Sequence, residues 1–199
     1  MDSGGAAEGD DRRAFNVPLI SGLVRALPGL GGNRSVVIII FGVSGAGKTT
    51  LGQLLARELR WKFYEADDFH SLANIDKMRQ SVPLIDEDRW PWLDSLRELI
   101  KQCLAAGENA VLACSALKES YRRCLRVSPE VKLVYLRGDY ALIEQQLQQR
   151  REHFMDPKLL RSQFADLEEP QPEEGATVIK LGRSPRELVE EVKKKLRLR

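Results

Sequence analysis

The residues best equipped for chemistry stand in one run, Gly42-Val43-Ser44-Gly45-Ala46-Gly47-Lys48-Thr49-Thr50. Gly42 to Thr49 matches G-x-x-x-x-G-K-[ST] without a mismatch, the spacing of a phosphate-binding loop. A nucleoside triphosphate packs several negative charges into a small volume, so such a loop surrounds it with backbone N–H groups. Gly42, Gly45 and Gly47 allow the Cβ-free, positive-φ turns that close approach needs. Lys48 would reach the β- and γ-phosphates, and the Thr49 hydroxyl would be a ligand for Mg²⁺.

A cradle of this kind works only if a strand ends at it and a helix begins from it, aiming its N-terminal donors at the same anion. The apolar run Val36-Val37-Ile38-Ile39-Ile40-Phe41 and the helix-like stretch after Thr49 meet that requirement. From Ser35 onward, β-rich runs predicted at 36–41, 62–65, 110–114, 132–136 and 177–181 alternate with helical ones at 48–59, 72–80, 91–106, 118–125, 140–150, 157–165 and 185–196. Pro91, Pro157 and Pro185 are each placed in a first helical turn, and Ser184 with Glu187 has the pattern of an N-cap followed by an acid. Strands alternating with helices imply a mostly parallel sheet covered on both faces, a three-layer α/β/α fold.

Open parallel sheets bind ligands beyond the carboxyl ends of their strands. The second predicted strand is followed by Asp67, Asp68 and His70, the third by Ser115, Lys118 and Arg122, the fourth by Arg137 and Asp139. Phosphoryl transfer needs a hydroxyl held in line with the γ-phosphate, a group to take or orient its proton, and cations for the spreading charge. Asp67 is the candidate carboxylate, to contact the acceptor hydroxyl or to hold Mg²⁺ through water, on the expectation that its strand neighbours the phosphate-loop strand; the plainer reading is that Asp67 and Asp68 cap the next helix near Ser71. His70 would hydrogen-bond a polyhydroxylated substrate or simply pack. Lys118 and Arg122, at i and i+4, would share a helix face able to grip a carboxylate, or form a solvated basic face. Arg150-Arg151-Glu152-His153-Phe154 is a candidate lid segment whose arginine closes over the phosphates, the alternative being two surface arginines. Trp90-Pro91-Trp92 has the composition of aromatic packing under a helix start.

Bulk composition narrows the classes. The 199 residues are 43% hydrophobic and 30% charged, which suits one α/β domain. Net charge is +2 from 31 basic and 29 acidic residues, so no global field argues for nucleic acid or a membrane surface. Cys103, Cys114 and Cys124 form no C-x-x-C pair, and two histidines add no zinc spacing. Residues 1–34 carry seven glycines and no strong period, the pattern of a flexible extension, with 35–199 as the folded domain. Arg12, Arg13, Phe15 and Leu19 suggest a mitochondrial presequence, but Asp2, Glu8, Asp10 and Asp11 precede them and favour the cytoplasm.

Several stretches together resemble the gluconate kinase family of small P-loop enzymes. They are Gly42 to Thr49; Ala66-Asp67 with His70; Asn74 with Lys77-Met78; Pro83-Leu84, Asp86, Asp88-Arg89 and Pro91-Trp92-Leu93; Cys114-Ser115-Ala116-Leu117-Lys118 with Tyr121-Arg122; and His153-Phe154-Met155 with Gln163-Phe164. The resemblance implies a nucleoside-kinase-like fold with a five-stranded parallel sheet, a substrate-side helical region near 71–93, a lid within about 150–165 and a homodimer. It implies transfer of the ATP γ-phosphoryl group to the terminal hydroxyl of D-gluconate, with Mg²⁺. Lys48 and Thr49 would serve ATP and Mg²⁺, Asp67 and His70 would face the sugar acid, Arg89, Lys118 and Arg122 would hold its carboxylate or hydroxyls, and Arg150 would be the lid cation. The chain departs from the family at Ala46 for a frequent serine, Ser71 for proline, Ser81 for glycine, Gln146 for an expected arginine and Glu152 for glycine. The last two would weaken the grip on nucleotide or slow closure. Rival readings are another small-molecule kinase, acting on shikimate or a nucleotide, and a nucleotide binder with an impaired lid and no turnover. The Cys114 to Lys118 stretch speaks against the first, and no Asn-Lys-x-Asp guanine-reading motif is present.

Overall fold

The structure is a computed structural model that describes residues 35–80, 82–148 and 157–198. The expected extension over 1–34, the departure at Ser81, and the segment 149–156 with Arg150 and Glu152 lie outside the described residues. Five strands, β1 (Val37–Phe41), β2 (Lys62–Glu65), β3 (Ala110–Cys114), β4 (Val131–Arg137) and β5 (Thr177–Lys180), form one parallel sheet in the order β2-β3-β1-β4-β5. Around it lie α1 (Lys48–Leu59), α2 (Leu72–Arg79), α3 (Asp86–Ala105), α4 (Glu119–Leu125), α5 (Tyr140–Gln148), α6 (Pro157–Asp166) and α7 (Pro185–Leu196).

The central strand is apolar throughout because both of its faces are covered. Val37, Ile39 and Phe41 enter a core with Leu93, Leu96 and Ile100 of α3 and Tyr121 and Leu125 of α4. Ile38 and Ile40 enter the opposite core with Leu51 and Leu55 of α1 and Val189 and Val192 of α7. Each fully buried side chain of this size contributes roughly 1.5–3 kcal/mol. The phosphate loop that follows Phe41 is therefore anchored to a strand buried along its whole length. Ser184 caps α7 as expected, accepting from the Glu187 N–H while the Glu187 carboxylate accepts from the Ser184 N–H at 2.9 Å. Among the described residues no helix is long and apolar enough to cross a membrane.

Two expectations are corrected. The strand carrying Asp67 does not neighbour the phosphate-loop strand: β2 is an edge strand, and β3 lies between it and β1. Helix α3 starts at Asp86 and not at Pro91, which sits inside it. The start is set by acids: Asp86, Glu87 and Asp88 occupy the positive end of the helix dipole, and the Asp88 carboxylate accepts the Ile85 N–H at 3.1 Å. Pro91 lacks the N–H that would pair one turn back, a loss the 20-residue helix absorbs.

Candidate active site

The phosphate loop has the conformation its glycines permit. Gly42, Gly45 and Gly47 adopt φ of 142°, 85° and 87°, and a Cβ at Gly42 would lie 3.0 Å from the Leu136 carbonyl oxygen. Gly47 is the N-cap of α1 and supplies no capping side chain, and a helix N-terminus favours an anion. Lys48 Nζ donates to the Val43 carbonyl at 3.0 Å, which folds the lysine back over the loop. From α6, Gln163 accepts the Ser44 N–H at 2.7 Å and donates to Ser44 Oγ at 3.0 Å, tying that helix to the loop.

Thr49 and β2 meet through Glu65. The Thr49 hydroxyl donates to Glu65 Oε2 at 2.7 Å, which directs its proton away and leaves its oxygen lone pairs for a cation. Burial pushes the Glu65 carboxyl above its ordinary value, while the bond from Thr49 opposes that shift. A hydroxyl with nearby carboxylates is a hard oxygen set of the kind Mg²⁺ uses alongside phosphate and water. Among the described residues no group of three or more His, Cys, Asp or Glu forms a metal cage of its own.

Beyond the strand ends one cavity is lined by Lys48 and Ser44 of the loop and by Asp67, His70, Arg89 and Trp92. Although β2 is an edge strand, the single 3₁₀ turn Ala66–Phe69 that follows it brings Asp67 back toward Lys48. Asp67 and Asp68 do not cap α2: the Ser71 side chain does so, accepting the Asn74 N–H at 3.2 Å. The His70 ring stacks on Trp92 with centroids 4.4 Å apart and 12° between planes, and the Trp92 indole donates to the Ala66 carbonyl at 2.7 Å. Burial lowers the His70 pKa from its ordinary value, with Asp67 opposing and Arg89 adding to the effect.

The expected basic grip is arranged differently from its sequence pattern. Lys118 is the N-cap of α4, with extended backbone at φ −89° and ψ 148°, so it shares no helix face with Arg122. Lys118 Nζ lies 2.7 and 3.0 Å from the two oxygens of Asp86, which also accepts the Tyr121 hydroxyl. Arg89 donates to Tyr121 Oη at 3.1 Å and to Asp166 at the end of α6 at 3.2 Å. The bonds from Lys118 and Tyr121 hold the Asp86 carboxyl below its usual range. Arg122 does not line the cavity: it is 1% exposed and points inward, with Nε and Nη2 donating to Glu174 at 2.6 and 2.8 Å. Its Nη1 donates to the carbonyls of Ala116 and Leu117 at 3.2 and 2.7 Å, holding the turn in which Ala116 adopts φ 38°. Arg122 therefore shapes the segment between Ser115 and Lys118 from behind.

A second groove runs along the other side of the loop, lined by Gly47, Thr50, Leu136, Gln146, Gly182 and Arg183. The neutral Gln146 side chain thus lies beside the phosphate loop, at the position where the family resemblance led to an expectation of arginine. The pairing roles of Glu65, Asp86, Asp166 and Glu174 are not visible in the sequence. Asp86 stands among the residues that carry the family resemblance, and Glu65 has a local signal, an acid two residues before Asp67.

A family model described as an AAA domain matches residues 37–170. A probable gluconokinase of Rattus norvegicus is 47% identical over 153 residues, covering 67% of this chain and 83% of the rat protein. The thermosensitive gluconokinase of Escherichia coli K12 is 47% identical over 137 residues, covering 68% of this chain and 73% of that protein. Among solved structures, a gluconokinase from Sinorhizobium meliloti 1021 superposes with a TM-score of 0.76 at 36% identity, covering 82% of this chain and 93% of that one. The matched segment runs from the first residue of β1 past α6, and so spans every described residue of the cavity. The chain belongs to the gluconokinase family of P-loop kinases.

Proposed function

We propose that this chain transfers the γ-phosphoryl group of ATP to the terminal hydroxyl of D-gluconate, giving 6-phospho-D-gluconate and ADP. The observation that carries the reading is one cavity lined both by Lys48 of the phosphate loop and by Asp67, His70 and Arg89. Residues Gly42 to Thr50 bind the phosphates, with the amides of Val43, Gly45 and Gly47 as donors along the loop, while the Ser44 N–H is held by Gln163 and the Ala46 N–H by the Val43 carbonyl. Asp67 accepts or orients the proton of the attacking hydroxyl. As the new P–O bond forms, the bond from Pγ to the β,γ-bridging oxygen breaks, and Lys48 stabilises the charge that develops there. His70 and Arg89 hold the sugar acid, while Lys118, which does not line the cavity, is engaged by Asp86. Thr49 would hold Mg²⁺, which when bound neutralises phosphate charge. Arg150, outside the described residues, would be the lid cation that the family resemblance implies. Arg122 supports the wall between Ser115 and Lys118 and does not touch substrate.

A coupled assay for ADP release over D-gluconate, other sugar acids, shikimate and nucleoside monophosphates tests this reading. Mg²⁺-dependent turnover with D-gluconate is expected; ATP binding without turnover on any of them refutes it. The family resemblance extends the proposal to a homodimer in the cytoplasm, which sedimentation and cell fractionation check.

A further inference from the structure

We infer that Asn74 fixes His70 as the neutral tautomer protonated on Nε2, so that His70 serves the acceptor substrate as a hydrogen-bond donor and takes no proton during transfer. Only the identity of the substrate rests on the proposed function. Asn74 is 5% exposed, and its Nδ2 lies 2.8 Å from the Asp88 backbone carbonyl. A carbonyl oxygen can only accept, so the Asn74 atom facing it must be the amide nitrogen, and the orientation of the side chain is settled. The same nitrogen lies 3.4 Å from His70 Nδ1. A ring nitrogen that receives an N–H carries no proton of its own, and the proton of the neutral ring is then on Nε2.

The surroundings support the same state. Lys77 lies 2.6 and 2.8 Å from the Asp88 carboxylate oxygens, so that carboxylate is engaged away from Nδ1 and does not draw a proton there. One face of the ring is covered by Trp92, itself pinned to Ala66, and the Nδ1 side is taken by Asn74. His70 lines the cavity with Asp67 and Lys48, and with Nδ1 held by Asn74 the ring nitrogen left to serve a ligand there is Nε2. The lowered pKa of the ring agrees with a neutral side chain near pH 7. Acid–base work at the hydroxyl then falls to Asp67, and Asn74 is a positioning residue that acts through His70.

The chain has two histidines, so ring nitrogens of the ¹⁵N-labelled full-length protein can be assigned with His70→Gln as reference. Long-range ¹H–¹⁵N spectra near neutral pH should show pyrrole-like Nε2 and pyridine-like Nδ1 for His70. In Asn74→Ala both nitrogens should move toward the averaged positions of a freely exchanging ring. A proton on Nδ1 in the wild type, a charged ring, or no response to Asn74→Ala overturns the inference. In kinetics, Asn74→Ala should raise KM for gluconate about tenfold while KM for ATP changes less than about twofold, the worth of one neutral hydrogen bond. His70→Gln keeps an N–H donor and should lose about tenfold in kcat/KM, against about a hundredfold for His70→Leu; equal losses refute the donor role. The wild-type spectrum and the His70 pair decide the matter even where Asn74→Ala does not fold. Because the spectra need no substrate, a chain that fails to turn over gluconate still reveals which ring nitrogen of His70 carries the proton.

Discussion

Glu174→Gln isolates what Arg122 does. The Arg122 guanidinium is 1% exposed, and Glu174 is the one carboxylate bonded to it among the described residues, at 2.6 and 2.8 Å, with its own side chain 13% exposed. Breaking a buried pair by removing one partner costs about 3–5 kcal/mol, because the remaining charge stays desolvated. Three features pull the value to the lower end: partial exposure of Glu174, the carbonyls of Ala116 and Leu117, and the Phe41 ring 5.0 Å from the guanidinium carbon. A loss of about 3 kcal/mol is expected, equivalent to about 6–12 °C in Tm for a domain of this size.

The pH dependence supplies a second readout. Arg122 holds the Glu174 carboxyl below its ordinary value, so the folded pKa is depressed. Its stabilising contribution is full above the unfolded pKa and is lost as pH falls through the folded pKa. The stability gap between wild type and Glu174→Gln should therefore be widest near neutrality and close in acid. Urea unfolding followed by circular dichroism at a series of pH values measures both quantities. A neutral-pH loss under about 1 kcal/mol, or a gap that persists unchanged into acid, would refute the assignment of Arg122 to the scaffold.

Three further outcomes concern the reaction. Asp67→Asn should lower kcat by more than about tenfold while leaving ATP binding intact by calorimetry; a smaller loss removes Asp67 from the phosphoryl step. Glu65→Gln should raise the Mg²⁺ concentration needed for half-maximal activity by about tenfold, since a charge-assisted bond that orients Thr49 is replaced by a neutral one. An unchanged Mg²⁺ titration would show that the 2.7 Å contact is incidental. Gln146→Arg should lower KM for ATP, because it returns a cation to the groove beside Gly47 and Thr50, and an unchanged KM dismisses the effect of that departure.

The fold is legible in the sequence wherever its cause is local. A run of five buried apolar residues, a glycine turn and an amphipathic helix are each written within about a dozen neighbouring positions, and β1, the loop and α1 stand where the pattern puts them. The start of helix α3 is harder to read because two signals compete. Proline at a first turn is a strong prior, but three acids and the Asp88 bond to the Ile85 N–H outweigh it. The neighbours of β1 are not legible because strand order is decided by how crossovers pack, which no local pattern encodes.

Charge pairing is the least legible property, and Lys118 and Arg122 show why. Four residues apart in sequence, they match a shared helix face, but that geometry holds only if both are helical. The helix begins at Glu119, and the positive φ of Ala116 has already turned the chain, so one head group meets Asp86 and the other Glu174. Asp86 and Glu174 lie 32 and 52 positions away in the chain from the cations they engage. The same distance effect separates Thr49 from Glu65 and Arg89 from Asp166, 16 and 77 positions apart. Sequence therefore supplies the residues that would touch phosphate, while the carboxylates that orient Thr49, Lys118, Arg89 and Arg122 come from other elements. Substituting those acids separates the two kinds of contribution: Glu65 bears on the metal requirement, and Glu174 on the stability of the wall that Arg122 supports.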